Sequence, residues 1–392
     1  MEPKIRFKGF EGEWKTSTIG DFTTSFSGGT PTAGASEFYG GNIPFIRSGE
    51  IHESKTELFL TEAGLNNSSA KVVEKGTLLY ALYGATSGEV GISKIKGAIN
   101  QAILAIYPNK TVDKRFLANY LQSHKQKIVG ELLQGGQGNL SGALVKSISV
   151  TYPNNREQQA ISDYVDSLDS QISAATSRLA SLKQMKAASL QAMFPQEGET
   201  VPKIRFKGFE GEWKKVKLGK IFSERIENNV NGEMLSVTMN NGIIKAAENG
   251  RFDNSNSDKS KYKVVKVGDI AYNSMRMWQG ASGCSQYEGI VSPAYTVVVP
   301  NANIHSQFFA YHFKTIPMIN LFRLHSQGLT KDTWNLKYPA FSIIEVSYPE
   351  SKAEQQAIAS YFTSLDHQIS LQTQRLEKLK KIKSACLDKM FV

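Results

Sequence analysis

The chain has 392 residues, of which 40% are hydrophobic and 21% charged, so it is long enough for two or three globular domains. Its formal net charge of +10 favours an anionic partner, and nucleic acid is the commonest one for a soluble protein. The two cysteines, Cys284 and Cys386, form no Cys-x-x-Cys pair, which argues against a disulfide framework and a zinc ribbon. Without an apolar signal core or an apolar run of about 18 residues, we expect a cytoplasmic protein that is neither secreted nor inserted in a membrane.

Residues 3–15 return unchanged at residues 202–214, as Pro-Lys-Ile-Arg-Phe-Lys-Gly-Phe-Glu-Gly-Glu-Trp-Lys. The chain is therefore an internal tandem duplication, and we call each copy an entry segment. The alternation of Ile5 and Phe7 with charged neighbours predicts a short extended piece. Phe10 and Trp14 are predicted to anchor this piece on a helix or domain face. Residues 195–201 are predicted to link the halves.

A middle domain follows each entry segment, at residues 16–156 and 215–353. The two have nearly the same length but mostly different sequences. A few framework positions persist, because strand-like runs at 77–82 and 269–272 follow a glycine, and runs at 147–152 and 343–348 both end in Tyr-Pro. Residues 116–133 and 307–324 have helical patterns. We predict that each middle is one mixed domain of short strands with a few helices.

Loops of both middle domains carry side chains suited to base edges and phosphates. Arginine can bond guanine with two hydrogen bonds, and asparagine or glutamine can do the same with adenine, while hydroxyls, Lys and backbone amides hold phosphates. Most loops of this kind are solvated turns, but their recurrence at matching places favours DNA binding. The candidate DNA-binding residues are Arg47, Ser48, Tyr83, Thr86, Gln137, Asn139, Ser141, Asn273, Arg276, Trp278, Gln279, Thr330, Lys331, Trp334 and Asn335.

A long helical pattern closes each half, at residues 157–194 and 354–391, with 22 identities over 38 aligned positions. Apolar residues recur at alternating steps of four and three, which is the seam of a coiled coil. Two roles for the helices stay open at this point: structural spacing alone, or spacing that is itself the function. The predicted seam residues are Ile161, Val165, Leu168, Ile172, Leu179, Leu182, Ile358, Phe362, Leu365, Ile369, Leu376 and Leu379.

Motifs of self-contained enzymes are missing from the sequence. We find no phosphate-binding loop of an ATP motor, no Asn-Pro-Pro-[Tyr/Phe] of an adenine methyltransferase and no Gly-x-Ser-x-Gly elbow. Glu-x-Lys occurs in both entry segments, but no Pro-Asp precedes it as in many nucleases. The histidines show no metal-ligand spacing. We therefore predict no catalytic residue, no metal and no cofactor in this chain.

Motifs shared by the two halves are the duplicated entry segments, the Glu-Gln-Gln-Ala-Ile start of each helical pattern and the Ser-Leu-Asp that follows it. In these motifs the chain resembles the specificity subunit of type I restriction-modification systems. The resemblance covers essentially the whole chain. It implies an α+β fold in which two mixed α/β target recognition domains alternate with two long helices that form an antiparallel coiled coil. The implied boundaries are 1–153 and 196–350 for the recognition domains, and 154–195 and 351–392 for the helices.

The resemblance also implies the partners. Each domain would read one half of a bipartite, asymmetric site in double-stranded DNA, and the helices would set the spacing and dock two adenine-N6 methyltransferase subunits. Those subunits would bring S-adenosylmethionine, and motor-nuclease subunits would bring ATP and Mg. Two alternatives remain: a self-contained DNA methyltransferase or nuclease, disfavoured by the missing motifs, and a cytoplasmic coiled-coil scaffold that binds only proteins.

Overall fold

The computed structural model describes residues 2–133, 139–239, 241–249 and 258–392. The chain divides into two compact units, one made of Met1–Thr176 with Arg375–Val392 and the other of Ser177–Gln374. Each unit therefore contains one middle domain together with a part of each long helix. The boundaries that the resemblance implies treat each long helix as a segment of its own. In the compact units, by contrast, each long helix is divided between the two units.

Unit 1 builds its middle domain from two four-stranded sheets and a two-stranded ribbon. Its strands are β1 (Lys15–Thr18), β2 (Thr23–Ser27), β3 (Tyr39–Ile46), β4 (Phe59–Leu60), β5 (Lys71–Val73), β6 (Leu78–Ala81), β7 (Val90–Ile92), β8 (Gly97–Ile99), β9 (Ile103–Pro108) and β10 (Ser149–Tyr152). Its helices are α1 (Ile19–Phe22), α2 (Glu62–Asn66), α3 (Lys114–Ser123), α4 (Lys125–Leu132), α5 (Gly142–Lys146) and the first part of α6 (Asn155–Ala192). The sheet orders are β2-β9-β6-β7 and β4-β3-β8-β5, and β1 pairs with β10.

Unit 2 repeats part of this plan. Its strands are β11 (Lys214–Lys217), β12 (Phe222–Glu224), β13 (Leu235–Thr238), β14 (Gly242–Lys245), β15 (Lys263–Val265), β16 (Ile270–Asn273), β17 (Ser282–Cys284), β18 (Gly289–Val291), β19 (Tyr295–Pro300) and β20 (Glu345–Tyr348). Its helices are α7 (Leu218–Ile221), α8 (Ser306–His312), α9 (Ile316–His325), α10 (Tyr338–Ser342) and most of α11 (Lys352–Lys389). The order β12-β19-β16-β17 and the β11-β20 pair match unit 1, whereas β13-β14 and β15-β18 replace its second sheet.

The predicted framework strands are present in both middle domains. The runs that follow Gly76 and Gly268 form β6 and β16, and the runs that end in Tyr-Pro form β10 and β20. Each predicted domain helix is instead two helices. The first breaks at His124, whose backbone leaves the helical region, and the second breaks at Thr315, which is extended before Pro317 in the first turn of α9.

The long helices α6 and α11 each have 38 residues, as the repeat predicted. Within unit 2, Lys186 binds Asp366 at 2.5 Å and Ser189 contacts the Tyr361 hydroxyl at 2.9 Å. From the first of these pairs to the second, the residue number rises in α6 and falls in α11, so the two helices run antiparallel there. In unit 1, Lys383 of α11 binds Asp169 of α6.

The apolar stripes of the long helices face more than one surface. Ten of the twelve predicted seam residues are buried, and Ile172 and Ile369 are half-buried. Ile161 belongs to the hydrophobic core of the first middle domain, while Ile358, Phe362 and Leu365 belong to that of the second. The start of each apolar stripe therefore packs into the middle domain that precedes it in the chain. This follows from the short connections, since α6 comes directly after β10 and α11 directly after β20.

Residues at the ends of the long helices complete the two cores. In unit 1, Phe391 contacts Phe116 and Tyr120, with ring centroids 5.2 and 6.2 Å apart. In unit 2, Phe194 contacts Phe308 at 5.4 Å. The Met-Phe pair that ends each sequence repeat is thus a core element rather than a solvent-exposed tail.

Each entry segment contains bends and a turn, and its only strand residue is the last one, Lys15 or Lys214, where β1 and β11 begin. The alternating stretch around Ile5 and Phe7 therefore forms no strand. Gly12 and Gly211 have φ angles of 86° and 80°, which only glycine adopts readily, and these angles turn the chain toward Trp14 and Trp213. Both tryptophans are buried, as anchors should be. The Ile5 amide donates to the Lys389 carbonyl at 3.0 Å in unit 1, and the Ile204 amide donates to the Ala192 carbonyl at 2.8 Å in unit 2.

We predict that Phe194→Ala lowers the free energy of unfolding of unit 2 by about 3–5 kcal/mol, because it empties a fully buried site. Trp213 lies 6.0 Å from Phe194 and gives a fluorescence signal for denaturant unfolding of the full chain. Met185→Ala is the control, since Met185 is 49% exposed in the same helix. Equal losses from the two substitutions would contradict a core role for Phe194.

Candidate nucleic-acid interface

Two loops that are distant in sequence lie side by side in the first middle domain. One follows β6 and contains Tyr83 and Thr86, and the other precedes α5 and contains Asn139 and Ser141. Asn139 forms a backbone bridge with Tyr83, and the Leu140 amide donates to the Leu82 carbonyl at 2.9 Å. Tyr83 is half-exposed and Asn139 is exposed, so their side chains can reach a ligand.

Hydroxyls in these two loops have structural partners. Thr86 Oγ1 donates to the Tyr83 carbonyl at 3.1 Å, which closes the turn. Ser141 Oγ accepts from the Leu144 amide at 3.2 Å and caps α5. Gln137 lies outside the described residues.

The second middle domain places two loops in the same way. The loop after β16 includes a short 3₁₀ helix, Met277–Gln279, and the other loop, residues 327–335, precedes α10. The Leu336 amide donates to the Ser274 carbonyl at 2.8 Å, as Leu140 does to Leu82 in the first domain. Trp278 and Trp334 join the loops through an edge-to-face contact with ring centroids 5.3 Å apart.

Loop 327–335 is closed by reciprocal backbone bonds. The Gln327 amide donates to the Asn335 carbonyl at 3.0 Å, and the Asn335 amide donates back at 2.8 Å. Thr330 and Thr333 form a turn inside the loop, with the Thr330 amide donating to Thr333 Oγ1 at 3.1 Å. The loop is thus an ordered platform supported from within, and the Thr330 hydroxyl belongs to that support.

Cationic and amide residues lie in the same two loops as the tryptophan pair. Arg276, Gln279 and Lys331 are exposed, and within the described parts of the chain no hydrogen bond or ion pair holds their side chains. Asn273 differs, because its Oδ1 accepts from the Met275 amide at 3.0 Å and shapes the loop. The second domain therefore presents a guanidinium, an ammonium and an amide beside two aromatic rings, a set that suits phosphates and base edges.

An apolar residue at the tip of loop 327–335 was not identified from the sequence. Leu329 is 101% exposed, and it follows Gly328, whose φ of 146° and proximity to Thr333 exclude a larger residue. Exposed apolar side chains beside cationic groups can contact a thymine methyl group or enter between base steps. The signal in the sequence was a single aliphatic residue, Leu329, in a loop whose other apolar side chain is Trp334.

Arg47 is held by acidic neighbours. Its guanidinium donates to Glu50 at 2.8 Å and to Glu57 at 2.7 Å. Although burial raises the pKa of Glu50, hydrogen bonds from Arg47 and other nearby donors lower it to about 2. Arg47 and Ser48 follow β3, which lies in a different sheet from β6. In this arrangement Arg47 holds residues 47–57 together and is not a free cation.

In the described part of the chain, no cluster of three or more metal-binding side chains occurs. Within the same residues, no helix is long and apolar enough to cross a bilayer.

Comparisons with known proteins identify the repeated architecture. A family model described as the type I restriction modification DNA specificity domain matches residues 11–184 and again residues 210–381. The MjaIX specificity subunit of Methanocaldococcus jannaschii, a type I restriction enzyme subunit, is 30% identical over 168 residues, which cover 40% of this chain and only 38% of that protein. The MjaVIII specificity subunit of the same organism is 21% identical over 96% of this chain and 91% of its own length.

Solved structures show the same fold. The S subunit of a type I restriction-modification system from M. genitalium has a TM-score of 0.63 at 16% identity, covering 100% of this chain and 99% of that one. At this level of identity the likeness shows the fold.

We predict that Glu50→Gln lowers the free energy of unfolding by about 1–2 kcal/mol at pH 7, because Arg47 loses the more buried of its two charged partners. A carboxylate whose pKa falls on folding stabilises the protein above its ordinary pKa of 4.5, and this contribution is lost as the pH falls toward about 2. The difference between wild type and Glu50→Gln should therefore shrink in urea titrations at pH 4 and pH 3.

Glu57→Gln is the matched control, because Glu57 also binds Arg47 but is largely exposed. Its effect should stay within about 0.5 kcal/mol. A Glu50→Gln difference that is the same at every pH would contradict the assigned ion pair.

Proposed function

The chain belongs to the type I restriction-modification DNA specificity family, and we propose that it reads one half of a bipartite, asymmetric DNA site with each middle domain. The observation that carries this proposal is the matched placement of the loop pairs. The bonds from Leu140 to Leu82 and from Leu336 to Ser274 are equivalent, yet the exposed side chains beside them differ. One scaffold with two different sets of reading groups suits an asymmetric site.

Groups that read DNA are best developed in the second domain. Arg276 can bond guanine with two hydrogen bonds, and Gln279 can bond adenine in the same way. Lys331 suits a phosphate, while the pair of Trp278 and Trp334 supplies apolar surface that positions the cationic groups around it. In the first domain, Tyr83 and Asn139 occupy the equivalent loops, and the net charge of +10 favours DNA overall.

The two long helices act as the spacer in this proposal. A 38-residue helix is about 57 Å long, and one turn of B-DNA rises about 34 Å. Helices of this length suit half-sites separated by one to two turns. Linking two readers makes the second binding event intramolecular, so a site with both halves is bound much more tightly than either half alone.

Chemistry is left to partners. We propose that α6 and α11 dock two adenine-N6 methyltransferase subunits, which bring S-adenosylmethionine, and that motor-nuclease subunits with ATP and Mg join that complex in the cytoplasm. In this proposal the chain contributes only the selection of the DNA site, and its partners carry the catalytic residues. It determines which adenines are presented, because the methyltransferases act where both halves of the site fit.

A genome-wide map of N6-methyladenine, made in cells with and without the gene, tests the function. We expect one split motif, two short blocks around a fixed run of unspecified bases, to lose methylation when the gene is absent. If no motif is lost, binding of the purified chain to DNA should be measured against salt concentration. If the chain shows no DNA binding that weakens as the salt concentration rises, DNA recognition is contradicted and a protein-only scaffold is favoured.

We predict that Arg276→Ala relaxes or abolishes recognition at one half-site only, because the guanidinium belongs to one domain. Loss of one base contact should weaken binding about 10- to 100-fold at the affected positions. Selection from a pool of random duplexes measures preference at both half-sites. Arg178→Ala, an exposed arginine on α6, is the control that should leave both half-sites unchanged. Equal loss at both halves from Arg276→Ala would contradict separate readers.

A further inference from the structure

Two consecutive polar side chains are buried at the start of each long helix. Glu157 and Gln158 are both 0% exposed, and their repeat copies Glu354 and Gln355 are 1% and 0% exposed. A buried carboxylate and a buried amide are stable only where partners satisfy them. Their partners therefore show what each helix start is built to hold.

Each glutamate binds an arginine of its own entry segment through two parallel hydrogen bonds. Arg6 donates to Glu157 at 2.7 and 2.8 Å, and Arg205 donates to Glu354 at the same two distances. This fork fixes direction as well as distance, which a lysine ammonium cannot do.

The arginines also bind the turn that follows them. Arg6 donates to the Gly12 carbonyl at 2.8 Å, and Arg205 donates to the Gly211 carbonyl at 2.5 Å. The entry segment is thereby fastened to the helix start, and its tryptophan continues into the middle domain, where Trp14 contacts Phe116.

Each glutamine binds the loop that leaves the central sheet of its domain. Gln158 Oε1 accepts from the Asp113 amide at 2.6 Å, and its Nε2 donates to the Thr111 carbonyl at 3.1 Å. These residues lie between β9 and α3. Nε2 also donates to the Pro153 carbonyl at 2.8 Å, immediately before the helix.

The second copy repeats these bonds. Gln355 Oε1 accepts from the His305 amide at 2.8 Å, and its Nε2 donates to the carbonyls of Asn303 at 3.4 Å and Pro349 at 2.9 Å. The two middle domains share little sequence, yet both are joined to their helix by backbone groups that meet the same glutamine. We call this set of contacts, between the helix start with its Glu-Gln pair and the entry segment and domain loop that it binds, the joint. The joint is built in the same way in both halves, although the two domains differ in their loops.

We propose that Glu157 with Arg6, Glu354 with Arg205, and the glutamines beside them are positioning residues that set the angle of each recognition domain on its helix and so fix the spacer length that the chain accepts. This inference rests on the proposed function. A tilt of about 10° carried over roughly 20 Å, about the radius of a domain of about 140 residues, moves the centre of the domain by about 3.5 Å. One base-pair step of B-DNA rises about 3.4 Å, so a small tilt at the joint changes the spacing by one base pair.

Arg6→Lys tests the joint, because it keeps the charge that Glu157 needs and removes the fork. The variant replaces the natural chain in cells, and N6-methyladenine is mapped at sites whose half-sites are separated by the natural spacer or by one base pair more or less. We expect methylation at the off-length sites to rise about fivefold relative to the natural sites, the factor for one lost hydrogen bond. The half-site sequences should stay the same.

Arg156→Lys is the matched control, since Arg156 is exposed and adjacent to Glu157 on the same helix. It should keep a single spacer length. A single spacer length in Arg6→Lys as well, or an equal loss of methylation at all lengths, would overturn the positioning role, because a contact that only stabilises the fold gives one of those results.

Arg205→Lys is the second variant, with the same expected result, and thermal unfolding of both purified chains accompanies the maps. Failure of both variants to fold would overturn the proposal, since each arginine–glutamate pair would then be needed for folding and would not act on the angle between domain and helix. The wild-type map separates this inference from the function on which it rests. A wild-type map without a split motif bears on the proposed function, which the salt-dependent binding measurement then decides, whereas a split motif with unchanged spacing in the variants contradicts only the joint.

Discussion

Neither middle domain completes its hydrophobic core from its own residues, and the rest of the structure depends on this constraint. Phe391 and Met390 fill the core of the first domain, and Phe194 and Met193 fill that of the second. Burial of these side chains is worth several kcal/mol in each unit. The long helices are therefore more than spacers attached to finished domains, because the end of one helix forms part of the core of each domain.

This dependence explains which parts of the duplication stayed alike. The entry segments, the helix starts and the Met-Phe ends all lie at contacts between a helix and a domain, where a change on one side leaves a cavity or an unpaired charge on the other. The loops after β6 and β16 have no such partner and are free to differ. Unit 2 has two two-stranded sheets, β13-β14 and β15-β18, where unit 1 has its second four-stranded sheet, while it keeps the order β12-β19-β16-β17.

Much of the fold could be predicted from the sequence because its signals are local or repeated. Helix length, the framework strands and the place of the candidate DNA-binding loops follow from periodicity and from comparison of the two halves. Other features depend on contacts that one sequence does not show. Arg47 has the chemistry of a base reader, but Glu57, ten residues away, helps to hold it. Ser141 caps a helix that was not predicted, and Leu329 is noticeable only once its full exposure is known.

The partition of the chain between the units has a consequence for the order in which it folds during synthesis. Unit 2 is one continuous stretch, Ser177–Gln374, and all of its residues are available before the last helical turns are made. Unit 1 needs Arg375–Val392, including the Lys389 carbonyl that receives the Ile5 amide and the Phe391 ring that packs on Phe116. Of the two units, the one whose middle domain is synthesised earlier is therefore completed later, and until then its apolar core lacks the side chains that cover it.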